Sequence, residues 1–163
     1  MDLEYCTNHH IAVYNLPNYS TQSVAEYLIF FAFCLAKKLP VQLKNGGKTD
    51  FSNSFLGQNI YGKHIGIVGL GNIGTTVAYS MQKLGNNVSY WSRHSRNSDF
   101  SYLELSEIFK QCDIIFITLD INNETKKLIT DKMVTSMKTS ASLISASGKD
   151  IFNHHLVVEN CRN

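Results

Sequence analysis

The segment Gly62-Lys63-His64-Ile65-Gly66-Ile67-Val68-Gly69-Leu70-Gly71-Asn72-Ile73-Gly74 sets three glycines between a short apolar run and an amphipathic stretch. Ile65–Val68 reads as a buried parallel strand. Val77, Ala78, Met81 and Leu84 then recur on one face of a helix through Thr75–Leu84. The three glycines serve different ends. Gly69 permits a tight turn, Gly71 lets backbone approach a pyrophosphate, and Gly74 lets the helix pack close to the strand. The free N–H groups of the first helical turn, at Asn72 and Ile73, and the positive end of the helix dipole complete a seat for an anion. A second strand at Val88–Ser92 lies at the distance a mononucleotide-binding unit requires. The pattern implies NAD or NADP as ligand.

The chain has 163 residues, enough for about one domain with a proper core. A net charge of +2 makes no case for nucleic acid or an anionic membrane. Cys6, Cys34, Cys112 and Cys161 show neither metal-ligand spacing nor a secreted framework, so they read as structural thiols in a reducing cytoplasm, with no metal expected. Val24–Ala36 is apolar but too short to cross a bilayer. It reads as a helix buried in its own domain or against a partner chain.

Ile11–Asn15 is expected to be a short strand, followed by a turn at Leu16–Ser20 and a helix over Ser23–Lys38. Ser20 or Thr21 is its N-cap, Glu26 a capping-box partner, and Pro40 its end. Residues 43–61 read as a long surface connection. From Lys63 the expected order is strand 65–69, helix 72–84, strand 88–92, helix 102–111, strand 114–119, helix 131–138 and strand 142–146, with a further helix beginning near Asn153. This alternation means a parallel sheet with crossover helices, an α/β fold of the Rossmann type.

These residues resemble the D-isomer-specific 2-hydroxyacid dehydrogenases. The likeness rests on Ile11-Ala12-Val13-Tyr14-Asn15-Leu16-Pro17 with Tyr19–Glu26, the glycine motif, Asp113–Leu119 with Glu124-Thr125, and Met137-Lys138 before the last strand. The resemblance implies a doubly wound cofactor domain inserted between two halves of a substrate domain. On that basis residues 21–163 are expected to be an incomplete NAD(P)-binding Rossmann domain, truncated at its C-terminal strands. Residues 1–20 are expected to be the hinge strand and a remnant of the substrate-domain connection.

The resemblance also implies hydride transfer between the nicotinamide cofactor and a 2-hydroxy or 2-oxo acid, using an Arg, a His and a Glu. The His and Glu are expected beyond Asn163. The Arg position falls on Gly148 in Ser145-Ala146-Ser147-Gly148-Lys149, which leaves Lys149 as the nearest cation. A lysine is a point charge without the planar fork that grips a carboxylate, so this chain is not expected to complete the chemistry alone. His154 and His155 read as the start of a surface helix. Thr118 stands where the family has a histidine and Asp120 where it has a proline. Together with Leu119, Thr125, Ala146 and Ser147, these two complete the expected cofactor contacts.

An acidic residue at the end of the second strand normally binds the ribose hydroxyls and repels a 2′-phosphate. Here Ser92 is followed by Arg93, His94, Ser95 and Arg96, which favours NADP over NAD. A homodimer through the 23–38 helix is expected, from its excess of apolar surface and from the way the resembling family pairs. Two alternatives remain in view: a non-catalytic nucleotide-sensing module, as in corepressors that resemble the family, and a degenerate remnant.

Overall fold

Parallel strands covered on both faces need apolar side chains at every position, and two strands here have that character. The computed structural model describes residues 1–46, 52 and 55–160. Its elements are α1 (Leu3–Asn8), α2 (Thr21–Ala36), α3 (Leu39–Lys44), β1 (His64–Val68), α4 (Asn72–Lys83), β2 (Asn87–Trp91), β3 (Ser101–Tyr102), α5 (Leu105–Gln111), β4 (Ile114–Ile117), α6 (Asp131–Thr135), β5 (Ser142–Ser145), a 3-10 turn (Lys149–Ile151) and α7 (His154–Asn160). The five strands form one parallel sheet in the order β3-β2-β1-β4-β5. Ile65 is in register with both Val88 and Ile114.

Alternation along β1 and β4 sorts the core into two layers. Ile65, Ile67, Ile114 and Phe116 join Leu28 of α2 and Val77 and Met81 of α4. Val68, Ile115 and Ile117 face the other way, toward Ile108 and Phe109 of α5 and Val134 of α6. Gly66 belongs to this second face. A Cβ there would lie 2.6 Å from Ile108 Cγ2 and 2.9 Å from Cys112 Sγ, so the missing side chain lets α5 close on the sheet. Burial pushes the Cys112 thiol up to about 12, which keeps it an apolar filler.

Several expectations need correction. Residues 11–16 form no strand, and Ile11, Val13 and Tyr14 are exposed, because no described strand lies beside them to take up their backbone hydrogen bonds. The helix begins at Thr21 and stops at Ala36. Lys38 takes a left-handed conformation, and Pro40 opens α3 rather than closing α2. Ser20 sits at the N-cap without a side-chain bond, and Glu26 accepts from Gln22 Nε2 at 2.9 Å instead of closing a capping box. Part of the 43–61 connection is α3, and part lies outside the described residues, as does Cys161. Helix α5 starts at Leu105, not 102, because Ser101 and Tyr102 pair with Ser89 and Tyr90 as the edge strand β3. Helix α6 ends at Thr135, and its N-cap Thr130 accepts from the N–H of Met133. The remaining strand and helix bounds differ from expectation by a residue or two.

Candidate functional site

Because every strand runs the same way, the loops after β1, β2 and β4 converge on one edge of the sheet. The strand order reverses between β1 and β4, the switch point at which open α/β sheets leave a crevice. An open cleft of about 260 Å³ lies there. Gly69, Leu70 and Gly71 form its floor, Trp91 to Ser95 one wall, and Thr118 to Asp120 with Asn122, Glu124 and Thr125 the other.

The glycine turn is held by its neighbours. Gly69 has φ +100° and donates to Trp91 O at 2.9 Å, and Thr118 Oγ1 donates to Gly69 O at 2.7 Å. A Cβ on Gly74 would run into the Gly69 carbonyl and approach Thr118 Oγ1 to 2.7 Å, so the first turn of α4 can reach the strand only through glycine. Gly71 differs. It is the N-cap of α4, has no side-chain cap, and a Cβ added to it would meet nothing within 4 Å. Among the described residues no packing accounts for a glycine there, whereas a polyphosphate lying on the open N–H groups of α4 would need that space.

The loop after β4 is braced internally. Asn122 Oδ1 accepts from the N–H of Glu124 at 2.9 Å and of Thr125 at 3.0 Å. Thr125 Oγ1 accepts from Asn122 N–H at 2.8 Å and donates to Asp120 O at 2.6 Å. Arg93 crosses the cleft to this loop, donating to the Glu124 carboxylate and, at 3.0 Å, to the Glu124 carbonyl.

Of the residues named from sequence, Gly69, Gly71, Ser92, Arg93, Thr118, Leu119, Asp120 and Thr125 come together around the cleft. Asn72, Ile73 and Gly74 form the adjoining helical turn, with the Asn72 side chain donating to Asn18 Oδ1. Arg96 points elsewhere, donating to Ser92 O and Ser95 O at 2.9 Å each and lying 5.0 Å from the centre of the Tyr102 ring. Ala146, Ser147 and the exposed Lys149 lie outside the cleft lining, although Ser147 Oγ donates to Leu119 O at 2.6 Å. A Cβ at Gly148 would lie 2.7 Å from Ile121 Cδ1. The sequence pattern pointed to neither Trp91 nor Asn122, and to Glu124 only as part of the family likeness, not as a cleft residue. The Asn122-x-x-Thr125 spacing of a side-chain-closed turn was the available signal. Among the described residues no group of three or more His, Cys, Asp and Glu could hold a metal ion, and no helix is long and apolar enough to cross a membrane.

At the opposite edge, Asp113 ties β4 to β1. Burial alone would raise its carboxyl. The Lys138 ammonium at 2.8 Å, the His64 N–H at 2.9 Å and the Lys63 charge outweigh that and hold it below the ordinary aspartate value.

The five-stranded parallel sheet, the glycine turn and the cleft at the switch point define a dinucleotide-binding domain of the Rossmann class. Residues 29–162 match the family model described as D-isomer specific 2-hydroxyacid dehydrogenase, NAD binding domain. The chain therefore belongs to the D-isomer-specific 2-hydroxyacid dehydrogenase family, as its NAD-binding domain. It is 30% identical over 175 residues to glyoxylate reductase of Pyrococcus horikoshii, covering 96% of this chain and 51% of that protein. It matches the crystal structure of D-lactate dehydrogenase with NAD+ from Lactobacillus jensenii with a TM-score of 0.87 at 26% identity, over 99% of this chain and 51% of that one. It also matches an acyclic imino acid reductase in complex with NADPH and D-Arg, with a TM-score of 0.85 at 27% identity, over 97% and 52% of the two chains. The chain spans about half the length of the first curated relatives it matches.

Proposed function

We propose that this domain serves hydride transfer between a nicotinamide dinucleotide and a 2-hydroxy or 2-oxo acid, and that the dinucleotide lies along the switch-point cleft. The observation that carries the site is the open Cβ position of Gly71 beside the unfilled N–H groups of α4. The cofactor, when bound, supplies the hydride acceptor and donor. Backbone N–H groups at Gly71, Asn72 and Ile73 would take the pyrophosphate, and Gly69 and Gly74 hold the turn at close approach. Ser92 would face the adenosine ribose, and Arg93 would take its 2′-phosphate. Thr118, Leu119, Asp120 and Thr125 would line the side facing the nicotinamide half, with Ala146 and Ser147 behind Leu119.

NADP is the favoured cofactor. Ser92 carries no repelling carboxylate, and Arg93 is a fork suited to phosphate at the cleft wall. Arg96, turned toward backbone carbonyls and Tyr102, supports this less than the sequence suggested. Fluorescence titration with NADPH and NADH tests the proposal. Binding of both that is lost in Gly71→Val supports the site, and unchanged affinity in that variant rejects it.

Residues 1–20 are proposed as a hinge segment outside the domain, supported by α1 having no buried residue. A homodimer through α2 is supported by Tyr27, Phe30 and Phe31, which are 62%, 54% and 49% exposed and pack ring against ring. The free thiols Cys6, Cys34 and Cys112 suit a reducing cytoplasm. A second reading, a cofactor-sensing module without turnover, is supported by Gly148, which puts no cation at the position where the resemblance expects an arginine.

A further inference from the structure

The charged group that faces the cleft from the wall opposite Arg93 and bonds to it is Glu124, which lies 31 residues away in sequence. Two features set this pair apart from a chance surface contact. Glu124 does not ride on a free loop, since Asn122 and Thr125 clamp its backbone through their side-chain bonds. Arg93 is also doubly engaged, by the Glu124 carboxylate and by the Glu124 carbonyl at 3.0 Å. The guanidinium thus already holds an anion, at the wall where the second strand ends and an adenosine ribose would lie.

A monoester phosphate carries a charge of about −1.5 to −2 at neutral pH and accepts a bidentate guanidinium better than a single carboxylate does. It could take over Arg93 from Glu124. It would do so against the residual repulsion of the displaced carboxylate, with Asp120 a second carboxylate lining the same cleft. A dinucleotide with free ribose hydroxyls faces no such exchange.

We propose that Glu124 is the resident counter-ion of Arg93 and a cofactor-selectivity residue. Its carboxylate occupies the 2′-phosphate ligand and moderates the cleft's preference for phosphorylated over unphosphorylated adenosine. This rests on the reading of Arg93 as the 2′-phosphate ligand. Glutamine at position 124 keeps the side-chain length and the carbonyl that orients Arg93, and removes only the charge.

The test is calorimetric titration of the chain with adenosine 2′,5′-bisphosphate and with 5′-AMP, probes that differ only in the 2′-phosphate. Glu124→Gln should raise affinity for the bisphosphate about two- to fivefold, the scale of one exposed charge pair, with 5′-AMP unchanged. Glu124→Asp should stay close to the parent. A selectivity ratio that does not move in Glu124→Gln, while Arg93→Ala still weakens the bisphosphate, overturns the counter-ion role alone. If Arg93→Ala leaves the bisphosphate as it was, the reading of Arg93 falls and this inference falls with it.

Discussion

Gly74 sits so close under Gly69 that a single methyl group at Gly74 would strike the Gly69 carbonyl, the same oxygen that accepts the Thr118 hydroxyl at 2.7 Å. Gly71, between them in sequence, faces open space. Two glycines of one turn are therefore glycine for opposite reasons. Gly74→Val should destabilise the fold by about 2–4 kcal/mol through overpacking against rigid backbone. Gly71→Val should leave thermal stability within about 1 kcal/mol and abolish dinucleotide binding. Paired melting and titration curves check this, and equal loss of stability in both variants would refute the distinction.

Arg93→Ala is expected to weaken NADPH by about 1–2 kcal/mol, the scale of a charge-assisted bond at a partly exposed position, and to change NADH little. Equal affinities of the parent chain for the two cofactors would reject the preference.

The aromatic face of α2 should drive self-association at micromolar concentration. Phe30→Glu with Phe31→Glu puts two charges on the exposed side while Ala25, Leu28 and Ala32 keep their contacts in the core. Sedimentation is expected to show a dimer for the parent and a folded monomer for the variant. A monomeric parent would mean that α2 needs no partner.

Asp113 should make the fold acid-sensitive. Its folded pKa lies below the ordinary aspartate value of 3.8, so its ion pair with Lys138 stabilises the protein fully above that value. The contribution is lost as pH falls through the lower, folded pKa. Asp113→Asn should cost about 1 kcal/mol at neutral pH and flatten the acid limb of the stability curve below about pH 4. An unchanged acid limb would assign the linkage to other carboxylates.

Turnover of glyoxylate, hydroxypyruvate or pyruvate by this chain is expected to be undetectable. Gly148 offers no cation, and the exposed Lys149 lies outside the cleft lining. Turnover above background that disappears in Lys149→Ala would reverse this.

The core of the fold was legible in local pattern. Continuous apolar runs at 65–68 and 114–117 can be buried only between two helical layers, and a glycine triplet between strand and helix has few other physical uses. Those constraints act within a dozen or so residues. What failed locally was what a neighbour had to supply. Ile11–Asn15 has the residues of a strand but no described strand to pair with, and Ser101–Tyr102 became one because Ser89 and Tyr90 offered an edge. The site divides in the same way. That Arg93 and Arg96 carry charge is written in the chain, but their directions are not. Arg96 turned to Tyr102, which β3 brings beside Tyr90, and Arg93 reached Glu124 across the switch point. Spacing alone marked this turn as the expected seat of a dinucleotide. Only the tertiary structure decided which anion its arginine already holds, because an ion pair between loops 31 residues apart exists only once the parallel sheet has brought their strand ends to one edge.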